Sequence, residues 1–72
     1  MPLIQVKALE GVFSKEQKQE IVKKLTETMV SIAGEHMRGI TRVLVKDVPS
    51  GAWAIGGRAP ITEDVRFLMV GK

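Results

Sequence analysis

The sequence predicts an α/β (α+β) fold: a single β-α-β unit with parallel strands, followed by a short C-terminal hairpin or tail. Two alternating, β-branched segments, at 3–9 and 40–46, bracket a stretch whose apolar residues recur every three or four positions. That stretch opens on a capping-box sequence and closes on a glycine, the two ends of one helix. A helix that fills the connection between two strands makes a right-handed crossover, and such crossovers join parallel strands.

In the first segment, Leu3 to Leu9, alternation puts Ile4, Val6 and Ala8 on one face and Leu3, Gln5, Lys7 and Leu9 on the other. Glu10-Gly11-Val12-Phe13 is a short link. In Ser14-Lys15-Glu16-Gln17 the Ser14 hydroxyl can accept from the Gln17 amide while the Gln17 side chain reaches back. The helix that follows has an expected buried stripe of Ile21, Val22, Leu25, Met29, Ile32 and Ala33, with Met29 as gap-filling core. Glu20 and Lys24 form a helical ion pair, and Gly34 supplies the stop. A polar turn at 35–39 leads to the second strand, Ile40 to Lys46. Residues 47–52 form a turn. Trp53-Ala54-Ile55-Gly56-Gly57 is a short apolar segment whose glycine pair permits positive φ. Thr62-Glu63-Asp64 caps a last turn before the apolar run Val65 to Val70, which reads equally as strand or helix.

Seventy-two residues fit one domain, 1–72, and a chain of that size buries too little of its own surface to be comfortable alone. Both strands carry large aliphatics on both faces while one helix covers only one. The uncovered face and the apolar tail are therefore expected to meet other subunits. Without cysteine there is no disulfide framework and no thiolate chemistry, and an intracellular, cytoplasmic protein is expected. The apolar runs are a few residues long against the roughly 20 that span a bilayer, so no membrane partner is expected. Met1-Pro2-Leu3-Ile4-Gln5-Val6-Lys7 lacks the pattern of a signal peptide, so the mature chain is expected to start at or next to Met1. The formal charge is +3, with basic and acidic residues interleaved and no aromatic platform on either strand. Nucleic acid is not an expected partner.

The usual catalytic residues are nearly absent. His36 is the one histidine and lies in a polar turn, no metal-ligand cluster or cofactor motif occurs, and no serine has a nucleophile-elbow context. One unusual base remains. Initiator methionine is removed before small residues, and removal of Met1 leaves Pro2 with a free secondary amine. Burial or a neighbouring arginine disfavours the cation and brings such an amine toward neutrality, where it can abstract a proton beside a carbonyl.

Pro2 before an apolar strand, Glu10-Gly11, Ser14-x-Glu16-Gln17-Lys18 opening a helix, Arg42 in the second strand and Trp53-Ala54-Ile55-Gly56-Gly57 occur in an order and spacing that resemble the 4-oxalocrotonate tautomerase-like members of the tautomerase superfamily. The resemblance covers 1–58 and leaves 59–72 as a C-terminal tail. It implies an isomerase that moves a proton in enol or dienol keto acids, with Pro2 as general base and acid. It also implies that Arg42, contributed by a neighbouring subunit, stabilises the substrate or enolate oxygen. Trp53 stands where an aromatic residue, usually phenylalanine, forms the apolar wall that keeps the proline amine neutral. The implied assembly is a hexamer or trimer of dimers, homomeric or hetero-oligomeric, acting on a small molecule without cofactor or metal.

The sequence departs from that pattern at one point. The family has arginine directly after Glu-Gly, whereas this chain has Val12 and Phe13 and one extra residue before Ser14. Neither side chain offers the planar fork that matches a carboxylate. The departure leaves open a less charged or bulkier substrate, a related hydratase or dehalogenase chemistry, or a non-catalytic or partner subunit of a hetero-oligomer. Lys15, Arg58 and Arg66 are the remaining cations that could replace the missing one. Arg58 reads more simply as a solvated or interface residue, Arg66 still more so, and Arg38 as a surface charge.

Overall fold

The computed structural model describes residues 1–70; the last two residues of the expected tail lie outside them. Strand β1 (Leu3–Leu9), helix α1 (Lys15–Ala33), a 3-10 helix (Glu35–Ile40), strand β2 (Arg42–Val48) and helix α2 (Thr62–Val70) follow in that order. β1 and β2 pair in parallel with Leu3 opposite Arg42 and Leu9 opposite Val48. The β-α-β unit is thus as expected, and the C-terminal run adopts the helical of its two readings. The only hairpin feature described there is a two-residue turn in which Gly56 and Gly57 take φ of 59° and 83° between Ile55 and Arg58. Two consecutive positive φ values are what a tight hairpin turn needs, and glycine reaches them without a Cβ clash.

Helix α1 starts as its sequence dictates. The Ser14 Oγ accepts from the Gln17 N–H at 3.1 Å, and the Gln17 Oε1 accepts from the Ser14 N–H at 2.8 Å. The Glu20–Lys24 pair forms at 2.6 Å on the exposed side. Gly34 ends the helix with φ 103° and ψ 155°, positive φ but not the left-handed helical cap. The expected stripe needs correction at its far end. Ile21, Leu25 and Met29 are half-buried, but Val30 is the buried residue of the helix, while Val22, Ile32 and Ala33 are exposed. The inward face runs through 18, 21, 25, 26, 29 and 30, so a helix of 3.6 residues per turn has rotated 32 and 33 out of it.

The second strand also starts and ends two residues later than expected. Ile40 closes the 3-10 helix, and the Thr41 Oγ1 and N–H bond back to the carbonyls of Met37 and Arg38 at 2.8 and 3.3 Å. Asp47 and Val48, expected in the turn, extend the ladder because the Glu10 N–H reaches the Val48 carbonyl at 2.9 Å. Ile4, Val6 and Ala8 lean toward α1 with Val43, Val45 and Asp47, where the Lys18 Nζ meets Asp47 at 2.6 Å. The opposite face of the sheet has no helix on it. Leu3, Gln5, Lys7, Arg42, Leu44 and Lys46 stand exposed there.

α2 is fastened to the end of β1. The Thr62 hydroxyl donates to the Glu10 carbonyl, and the Glu10 carboxylate accepts from the Ser50 N–H at 2.6 Å. Gly11 sits under this contact at φ 76°, and a Cβ there would lie 3.0 Å from the Thr62 methyl. Gly11→Ala is therefore expected to cost about 1–2 kcal/mol from the backbone alone, before the displacement of Thr62. A urea-unfolding midpoint measures this, and an unchanged midpoint would contradict the required conformation.

The core is small. Ala8, Leu9, Val12 and Val30 are the buried apolar residues, whereas Phe67, Leu68, Val70 and Ile55 are each more than 70% exposed. The radius of gyration is 14.7 Å, against about 11 Å for a compact domain of this length. In a single copy these large apolar side chains stay in contact with water.

Candidate active site

Pro2 lies half-buried at the mouth of β1, and its carbonyl accepts the Arg42 N–H at 3.0 Å. The preceding Met1 is 74% exposed. Backbone pairing thus brings Pro2 and Arg42 side by side. Strand alternation sends their side chains to opposite sides: Pro2 follows the parity of Ile4 on the α1 side, and Arg42 shares the helix-free face with Leu3. Among the described residues, Arg42 has no carboxylate partner.

The start of β2 is set by a clamp around Arg38. Its guanidinium bridges Glu27 on α1 and Glu35 on the 3-10 helix, with Nη2 3.0 Å from the Glu27 Oε1. These hydrogen bonds hold both carboxyl groups below the usual carboxylate range and raise the already high value of the guanidinium. Arg38 is more than a surface charge, because it ties the last turns of α1 to the segment that delivers Arg42. Carboxylates with lowered values stabilise the fold above their unfolded value and lose that contribution as pH falls through the folded one. Arg38→Gln should therefore lower Tm at pH 6, with the gap from wild type closing below about pH 4.3, the unfolded glutamate value. A gap independent of pH would assign the loss to packing.

Trp53 is half-buried at the other end of β1. It shares a cavity of about 250 Å³ with Ala8, Leu9, Val12, Phe13, Ile55, Pro60, Val65 and Met69. Six residue steps separate Leu3 from Leu9, about 20 Å of strand, so one chain does not bring Trp53 to Pro2. Val12, at the position of the missing arginine, is 7% exposed and lines this apolar cavity, with Val65 and Met69 of α2 in its wall.

One cation that reads from the sequence as a surface residue shares a cleft with Val12. Arg66 lines a second cleft of about 250 Å³ with Val12, Gln17, Met69 and Val70. Its spacing to Met69 and Val70, three and four residues on a helix, was the available signal, but only a helical tail makes that spacing a face. Arg58 is exposed in the tight turn, and Lys15 is exposed on the first turn of α1. His36 is exposed in the 3-10 helix. Among the described residues, no group of three or more His, Asp or Glu side chains is placed to hold a metal ion, and no helix is long and apolar enough to cross a membrane.

Residues 2–62 match the family model described as tautomerase enzyme. The chain belongs to the tautomerase family. Its similarity to solved structures agrees, and three of these span nearly their whole length. The unfused 4-oxalocrotonate tautomerase in its apo form is 33% identical, with 82% of this chain and 93% of that chain covered at a TM-score of 0.71. A 4-oxalocrotonate tautomerase homologue, TTHB242, is 34% identical, with coverage of 89% and 95% and a TM-score of 0.71. TomN, a 4-oxalocrotonate tautomerase homologue in the tomaymycin biosynthetic pathway, is 27% identical over 97% of both chains, again at 0.71. No curated protein matches this tautomerase-family chain.

Proposed function

We propose that this protein is a tautomerase of enol or dienol keto acids that uses the amine of Pro2, freed by removal of Met1, as general base and acid. The observation that carries the reading is the family match, which begins at Pro2 itself. The neutral amine takes the enol hydroxyl proton, the electron pair forms the carbonyl, and the resulting prolinium returns a proton to carbon. Negative charge develops on oxygen between these events. A guanidinium without a carboxylate partner, Arg42, stabilises that charge, most effectively in a site that excludes water.

Within one chain the Pro2 ring and the Arg42 guanidinium point to opposite sides of the sheet, and Trp53 is about 20 Å of strand away. The site is therefore assembled between copies, with Arg42 and Trp53 reaching Pro2 from neighbours in a homo-oligomer of the hexameric type. The exposed Phe67, Leu68 and Val70 of α2 supply the kind of apolar surface that such copies bury. A cytoplasmic setting suits a chain without cysteine.

The substrate is less charged or bulkier than a dicarboxylate, because the apolar Val12 fills the place of the second cation. Related hydratase or dehalogenase chemistry on the same scaffold is the alternative, and it needs an activated water as well. Arg66, which shares a cleft with Val12, holds the distal end of the substrate. Arg66→Ala should raise KM about tenfold, with kcat little changed, as the loss of one charged hydrogen bond predicts. An unchanged KM would return Arg66 to a surface role.

Intact and native mass spectrometry beside a phenylenolpyruvate ketonisation assay tests the whole reading. Loss of Met1, an oligomeric mass and turnover are expected together. Retention of Met1 in the native protein would leave the Pro2 nitrogen as an amide and exclude it as the base. An inactive oligomer with a free Pro2 would favour the partner-subunit reading instead.

A further inference from the structure

Three basic residues and no acidic one share one face of the sheet. The helix-free face is made by residues 3, 5, 7 and 9 of β1 and 42, 44, 46 and 48 of β2, and it holds Lys7, Arg42 and Lys46 with no acidic residue. The other eight basic residues of the sequence equal its eight acidic ones. Elsewhere Lys18 pairs with Asp47, Lys24 with Glu20, and Arg38 with Glu27 and Glu35, while among the described residues Lys15, Lys23, Arg58 and Arg66 form no ion pair. Among the described residues neither Lys7 nor Lys46 has such a partner.

Register makes this more than a basic surface. Lys7 and Lys46 are direct partners across the parallel ladder, on strands about 5 Å apart. Like charges placed directly opposite one another destabilise a sheet. The stems of the two lysines rise from a concavity of about 310 Å³ that also includes Gln5, Val6 and Leu44. Leu44 and the lysine stems supply its apolar part, and the Gln5 amide, one row along the sheet, adds a neutral donor. Arg42 lies four residues along β2 from Lys46, about 13 Å away, so the lysine pair is separate from the Pro2 and Arg42 end of the sheet.

We propose that Lys7 and Lys46 together bind a small inorganic oxyanion, of the phosphate or sulfate class, on the helix-free face. Two adjacent ammonium groups each donate to a different oxygen of a tetrahedral dianion, which cancels their repulsion. Lysine suits this role as a compact, mobile point charge, and a tetrahedral anion does not require the planar fork of arginine. The site makes no use of Pro2 and does not depend on the proposed catalytic reading.

The test is thermal unfolding and calorimetric titration of the full chain with inorganic phosphate, at ionic strength held constant with chloride. Saturable stabilisation is expected, with half-saturation in the millimolar range and the same constant by calorimetry. Lys7→Gln and Lys46→Gln should each weaken that constant at least tenfold and should raise Tm in phosphate-free buffer, because each removes one of two facing charges. Lys23→Gln on α1 and Arg42→Ala should keep the phosphate response. A response that does not saturate, or that chloride reproduces, would overturn the site. So would a full response in both lysine variants. Binding of a single-stranded oligonucleotide that falls steeply with salt, without phosphate saturation, would replace the small anion with a nucleic-acid surface. The calorimetric readout needs no turnover, so an inactive protein that still binds phosphate would reject the catalytic proposal and leave this one standing.

Discussion

Pro2→Ala is expected to lower kcat/KM for enol ketonisation by about a hundredfold or more, within the 10²–10⁴ that positioned general bases supply. Alanine also permits removal of Met1, so the variant keeps a free amine and tests the proline ring specifically. The ring fixes φ near −65° and points the nitrogen lone pair in one direction, whereas a primary amine rotates freely. The proline side chain is only half-buried, and its carbonyl, which takes the Arg42 N–H, survives the change. Native mass and unfolding midpoint should therefore match wild type. The wild-type rate should rise with pH through the amine titration and then level, since the neutral form is the base. Full activity in Pro2→Ala, with Met1 removed, sinks the assignment.

Arg42→Ala is expected to reduce kcat by about 10²–10³, the usual loss when a group aimed at developing oxyanion charge is removed. Its effect should fall on turnover more than on KM, because the charge it meets exists chiefly in the transition state. Arg42→Lys should recover part of the loss, keeping the charge without the planar fork. Folding should change by less than about 0.5 kcal/mol, as for other surface substitutions: the side chain is exposed and has no described carboxylate partner, and the bond to Pro2 uses the main chain. A kcat equal to wild type would show that Arg42 meets no reacting group.

Local rules made much of this molecule readable from its sequence. The capping box at Ser14 and Gln17, the crossover helix between two alternating strands and the positive φ at Gly56 and Gly57 each depend on a few neighbouring residues, and each formed as the residue types required. Family membership followed from Pro2, Glu10-Gly11, Arg42 and the Trp53 segment taken together, and the match over residues 2–62 agrees with it. Boundaries were less legible. The 3-10 helix captured Ile40, and the rotation of α1 buried Val30 in place of Ile32, because the position of one element was set by another far away in sequence.

Two features could be decided only in three dimensions. Val65 to Val70 has apolar residues that serve a strand or a helix equally, and the bond from Thr62 to the Glu10 carbonyl, 52 residues apart, accompanies the helix that carries Arg66 to Val12. Lys7 and Lys46 look like two scattered charges until parallel register sets them opposite one another. The amino-acid sequence encodes conformational preference through neighbours and faces through periodicity, both short-range properties. Which faces meet is a long-range result of chain closure and packing, and in this small chain the placement of its cations depends on that result.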